Sequence, residues 1–198
     1  MLKPKVYAAE VTNLTDARYF AAMGVDYLGF CCNEDHPSYI RTERIKEIME
    51  WVEGPQAVLE FLLPTSFEEI QGKLDEIPLN TLHLGLESGL NKMNDCKIFQ
   101  DIILGKDIGI ILSKDNFCVL KAENTFSDFT DMERAHFEII TENYNCFIDF
   151  SYLLDSVLDI IKEYKVYGIV LRGGPEDITG VKSFEFYEPF FELVNTFN

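Results

Sequence analysis

Short apolar runs and amphipathic stretches take turns along this chain, regularly enough to predict a repeating strand–helix unit. Residues 5–9 form a short β-rich run. Thr12 and Asn13 then stand as N-caps, and Ala17, Phe20 and Ala21 recur at helical spacing. Gly24 supplies a stop, and 25–30 is a second apolar run. Two buried strands joined by a helix imply parallel neighbours, because a parallel pair needs a crossover connection. Thr42 caps the next helix, which carries Ile45, Ile48, Met49 and Val52 and closes at Gly54-Pro55. A third strand follows at 57–63. Ser66 and Glu69 then have the spacing of a capping box, with Phe67, Ile70 and Leu74 on one face of the helix behind it.

The rhythm continues to the end of the chain. Strands are expected at 81–84, 97–104, 117–122, 146–149 and 168–171, with helices over 131–142 and 151–165. A weak helix signal spans 88–95, and 107–113 is ambiguous between helix and strand. A last, Phe-rich helix carries Phe190, Phe191 and Val194, with Pro189 at or inside its start. Eight strands alternating with crossover helices predict one α/β domain over residues 1–198, a closed (β/α)8 TIM barrel. Such barrels typically take ~250 residues, so in 198 the helices and loops must be short.

Composition narrows the classes of partner. Apolar residues make up 47% of the chain, including 16 Phe and 9 Tyr, which argues against disorder. The net charge of −17 repels nucleic acid and anionic membrane, so neither is an expected partner. A local basic spot could still hold one small anionic or phosphorylated metabolite. Cys31, Cys32, Cys96, Cys118 and Cys146 are odd in number and show no CxxC spacing, so free thiols are expected. There is no long apolar leader and no apolar run near 18 residues, which predicts a soluble, reduced, cytoplasmic protein. No cofactor or metal is expected, and the sequence leaves the oligomeric state open.

Two stretches carry a family resemblance. The opening Thr12-Asn13-Leu14-x-Asp16-Ala17, followed by Gly24-Val-Asp-Tyr-Leu-Gly-Phe30, is similar to the start of phosphoribosylanthranilate isomerase, a (β/α)8 barrel of tryptophan biosynthesis. Residues 166–183, with Arg172-Gly173-Gly174-Pro175, resemble that family's eighth strand and the loop after it. The resemblance implies an Amadori rearrangement of phosphoribosylanthranilate, with a Cys as base at the end of strand one and an Asp as acid at the end of strand six. Here those places read Ala9-Glu10 and Lys121-Ala122. The family's Ser-Pro-Arg after strand two is matched by His36-Pro-Ser38. Its phosphate-binding glycines after strands six and seven are matched by Glu123-Asn-Thr-Phe126 and Phe150-Ser151. The resemblance thus implies the family's barrel with its ancestral reaction lost or altered, or a non-catalytic barrel that binds a small anion or a protein partner.

Catalytic groups of this fold sit at the C-terminal ends of strands. Those ends offer Glu10, Cys31, His83, Lys121, Asp149 and Arg172. His83, Lys121 and Asp149 are the catalytic candidates, yet each has a plainer reading. His83 could be a satisfied core histidine. Lys121 and Asp149, on neighbouring strands, form either an acid/base couple or an ion pair plugging a disused mouth. Lys121 also resembles the Schiff-base position of class I aldolases, although a neighbouring Asp149 would work against a lowered amine pKa. Arg172 with Gly173 and Gly174 is the candidate substrate-binding group, and its alternative is a surface arginine. These three strand ends together predict a local positive excess. Glu10 is expected to be solvated. Phe126, Phe129 and Phe150 are candidates for filling the mouth.

Overall fold

The computed structural model describes residues 3–86, 95–106, 113, 115–150, 153–172, 184 and 187–196. Eight strands, β1 (Lys5–Ala9), β2 (Tyr27–Cys31), β3 (Gln56–Phe61), β4 (Thr81–Leu84), β5 (Lys97–Ile103), β6 (Phe117–Ala122), β7 (Asn145–Phe150) and β8 (Gly168–Arg172), close in sequence order into a parallel barrel. The closing pair, β1 with β8, runs in register from Lys5↔Gly168 to Ala9↔Arg172. The expected (β/α)8 barrel is therefore present. Residues 88–94 and 107–112, along with Gly173 and Gly174, lie outside the described residues.

Alternation along each strand sorts side chains into two cores. Tyr7, Tyr27, Val58, Phe99, Phe117, Phe147 and Val170 pack inside the barrel. Val6, Ala8, Leu28, Leu59, Leu82 and Ile148 point outward, against helix residues such as Phe20, Ile45, Ile70 and Phe137. The interior is strongly aromatic. Phe99 lies 5.0 Å from Tyr7, 5.1 Å from Tyr27 and 5.1 Å from Phe147 between ring centroids. Such tilted and edge-on pairs contribute beyond the area they bury. Phe126, Phe129 and Phe150 belong to the outer layer, where they meet Phe137, so they do not fill the barrel's mouth.

The helices are α1 (Leu14–Ala22), α2 (Thr42–Trp51), α3 (Phe67–Glu76), α4 (Asp131–Asn143), α5 (Leu153–Glu163) and α6 (Glu188–Val194). Asn13 caps α1 by accepting from the Asp16 amide, and Gly24 ends the unit at φ +77°. The Ser66–Glu69 capping box forms as expected, and Thr130 with Glu133 makes a second one on α4. Thr42 is different. The cap position of α2 is Arg41, with no side-chain bond, and the Thr42 hydroxyl instead donates to Glu76 on α3 at 2.7 Å. Pro189 falls in the first turn of α6, where no intrahelical N–H is needed. Replacing Thr130 by alanine should cost about 1 kcal/mol of stability, read as a lower denaturant midpoint at unchanged slope.

Candidate functional site: a charged network at the barrel mouth

Towards the C-terminal ends of the strands, the interior changes from aromatic to ionic. Glu60 on β3, His83 on β4 and Asp101 on β5 point inward and are 0%, 0% and 4% exposed. A buried charge of this kind must be paired, and a continuous chain pairs them. The Tyr7 hydroxyl donates to Glu60 Oε1 at 2.5 Å. Tyr7 Oη also lies 3.1 Å from His83 Nδ1. His83 Nε2 lies 2.8 Å from Asp101 Oδ1, and Asp101 Oδ2 accepts from Lys121 Nζ of β6 at 2.7 Å.

Local geometry explains why this chain can close. An added Cβ at Gly29 on β2 would fall 2.0 Å from Glu60 Oε1 and 2.6 Å from Tyr7 Oη, so β2 has no room for a side chain there. Glu10 follows β1 in the left-handed region at φ 57°, unusual for a non-glycine residue. That turn aims its N–H at both oxygens of Glu60, at 3.2 and 3.0 Å. It also sends the Glu10 carboxylate towards Arg172, whose Nε donates to it at 2.6 Å, while Ser38 Oγ donates at 2.8 Å. The two terminal nitrogens of Arg172 form a fork on Asp149. Tyr187 donates its hydroxyl to the Arg172 carbonyl.

These contacts place Glu10, His83, Lys121, Asp149 and Arg172 in one network. Lys121 and Asp149 are register neighbours but do not pair. Both oxygens of Asp149 are taken by Arg172, whereas Asp101 has one oxygen left after His83, and Lys121 turns to it. Arg172 is not a free surface arginine, and Glu10 is not solvated. Among the described residues the expected positive excess is absent too. With Glu10 and Asp101 joined to Lys121, Asp149 and Arg172, the rim carries three carboxyl groups against two basic ones. Glu60 and Asp101 were missed by reading strand ends alone. Their signal was a charged residue in mid-strand, inside the runs 57–63 and 97–104.

The electrostatics follow from burial and pairing. Burial, the largest influence on His83, pushes its pKa down, but Asp101 and Glu60 outweigh it and raise the imidazole to about 9. Burial lifts Asp101, and His83 with Lys121 more than reverses this, leaving it below its ordinary value of 3.8. Glu10 is likewise lowered, because the bonds from Arg172 and Ser38 overcome burial. Tyr7 is raised well above 10 by burial and then by Glu60. His83 at neutral pH is thus an imidazolium, with both N–H groups engaged. The folded state holds its proton more tightly than an unfolded chain, in which histidine titrates near 6.5. Stability from His83 is complete below pH 6.5 and should decline by on the order of 3 kcal/mol as pH rises through 9. Chemical denaturation between pH 6 and pH 10 reads this directly. Asp101 acts in the opposite sense, and its contribution is lost on acidification below about 4.

A cavity of about 490 Å³ lies beside this rim, between the ends of β2 and β3 and the helix α3. Glu34, Asp35, Glu69 and Glu76 line it against a single lysine, Lys73. Its charge does not favour an anion.

Among known proteins, the N-(5'-phosphoribosyl)anthranilate isomerase of Aquifex aeolicus (strain VF5) is 26% identical over 205 residues, covering 95% of this chain and 97% of that protein. The phosphoribosyl anthranilate isomerase structure from Thermotoga maritima matches 98% of the chain and 99% of its own at a TM-score of 0.75 and 16% identity. TrpF from Jonesia denitrificans matches 97% of each at 0.76 and 15%. No protein-family model matches the chain. In sequence and in fold, this chain is similar to phosphoribosylanthranilate isomerase. The two positions that the isomerase resemblance singles out can now be located. Ala9 is the last residue of β1, 1% exposed and in register with Arg172. Lys121 and Ala122 end β6. No helix among the described residues is long and apolar enough to cross a membrane.

Proposed function

We propose that this barrel keeps the architecture of phosphoribosylanthranilate isomerase but has lost or altered the family's Amadori rearrangement. The observation that carries this reading is the state of Arg172. It stands where a substrate anion would be gripped, and its guanidinium is already occupied by Glu10 and Asp149. Beside it, Ala9 offers no proton-transfer group where the resemblance calls for a cysteine. On β6, Lys121 is tied to Asp101 where it calls for an acid. Charges that would serve a ligand instead hold the strands to one another.

A small anionic metabolite at this rim would have to displace Asp149 or Glu10 from Arg172, or share Lys121 with Asp101. That cost argues for weak anion binding and favours the non-catalytic form of the reading. The direct test is a fluorescence assay of the purified protein with phosphoribosylanthranilate, alongside complementation of a tryptophan auxotroph lacking the isomerase. Titration with ribose 5-phosphate followed by NMR tests the anion separately. Saturable shifts in the wild type that vanish in Arg172→Ala would restore a metabolite-binding role to this rim.

A further inference from the structure

The opposite end of the barrel carries a second, chemically different cavity. It measures about 340 Å³ and opens at the N-terminal ends of β7 and β8, near the end of α5. This falls within the size range of small-molecule pockets. Three tyrosines, Tyr144, Tyr164 and Tyr167, furnish its walls, with Ile161 and Val166 between them. Tyr167 is braced from within the barrel by Phe117 and Phe147, at 5.0 and 5.5 Å between centroids, so its ring is held in place rather than free to swing.

The rim is cationic. Lys3, Lys5 and Lys165 all line the opening, on a chain whose net charge is −17. Lys5 is neutralised by Asp26 at 2.7 Å. Lys3 bonds only the neutral Asn195 carboxamide at 2.8 Å among the described residues, so its charge is uncompensated there. Lys165 is exposed and makes no ion pair among the described residues. Among the described residues no carboxylate lines the cavity. An apolar, aromatic-walled space with ammonium groups only at its edge matches a ligand with a flat apolar body and one anionic end.

We propose that this cavity binds a small aromatic carboxylate. The ring lies among Tyr144, Tyr164 and Tyr167, and the carboxylate reaches Lys165 and Lys3 at the rim. A partly desolvated ammonium–carboxylate contact at such a rim is stronger than one in open solvent. The inference does not depend on the reading of the charged mouth, which lies at the other end of the barrel and shares no residue with it.

The probe is 2-naphthoate, titrated into the full chain and followed by amide NMR, with neutral 2-naphthamide as the control for apolar contact alone. Saturable shifts should concentrate at residues 144–145 and 164–167, with 2-naphthamide at least tenfold weaker. Lys165→Glu, at an exposed position without an ion pair among the described residues, should weaken 2-naphthoate about tenfold and leave 2-naphthamide unchanged. Absence of saturable shifts, equal binding of acid and amide, or an unchanged affinity in Lys165→Glu would each overturn the proposal. So would sedimentation as a dimer together with shifts of these same amides on raising the protein concentration alone, which would place a second copy of the chain over the cavity.

Discussion

Phosphoribosylanthranilate should be turned over by this protein about 10⁴-fold or more slowly than by a working isomerase. The resemblance assigns two proton-transfer roles, one at the end of β1 and one at the end of β6. Ala9 has no group that can take a proton, and Lys121 is bonded to a buried carboxylate. General acid and general base groups each contribute ~10²–10⁴-fold, so losing both removes at least the square of the lower figure. The substitution Ala9→Cys alone should restore nothing measurable. The reintroduced thiol would stand beside Arg172, whose guanidinium is still held by Glu10 and Asp149. Turnover by the unaltered protein within tenfold of an ordinary isomerase would overturn the reading. It would mean that His83, Lys121 or Asp101 has taken over proton transfer.

Removing Asp101 should be the most damaging single change to the network. Its carboxylate sits between the fully buried His83 and the partly exposed Lys121, with one oxygen for each. Asp101→Asn keeps the volume but removes the charge that holds the imidazolium. Breaking a buried pair from one side typically costs ~3–5 kcal/mol, because the partner is left uncompensated. Part of that cost is relieved if His83 gives up its proton. The variant should therefore show a second signature, loss of most of the alkaline decline in stability expected of the wild type between pH 6.5 and 9. Urea unfolding of both proteins at pH 6 and pH 9 reads both effects. A loss under 1 kcal/mol, with the pH dependence intact, would show that Asp101 is not what raises His83.

The fold was legible because its signals are local. Ser66 with Glu69, Gly24, and the apolar runs at 81–84 and 117–122 each state their own structure, and the strands fall within a few residues of expectation. The site was legible only in part, because its contacts join residues far apart in the chain. Arg172 meets Glu10 across 162 positions, and Tyr7 meets Glu60 across 53. Strand ends identified Arg172, Asp149, Lys121 and His83, but they could not say which carboxylate each cation would choose. That choice depends on barrel stagger and on which oxygens are already taken. Thr42 shows the same limit on a smaller scale: its hydroxyl had two uses, and the packing of α2 against α3 decided between them.

The single tryptophan stands outside all of this. Trp51 ends α2, is 67% exposed, and has the Arg18 guanidinium above its ring, 5.6 Å from the centroid. Its indole is in water before the protein unfolds as well as after, so its emission colour should move little across the transition. The optically asymmetric part of the molecule is the interior, where Tyr7 and Tyr27 are held edge-on to Phe147. Near-ultraviolet circular dichroism from those tyrosines therefore follows the barrel itself. A melting curve recorded at tryptophan wavelengths alone would register the local surroundings of one surface helix and understate the loss of the core.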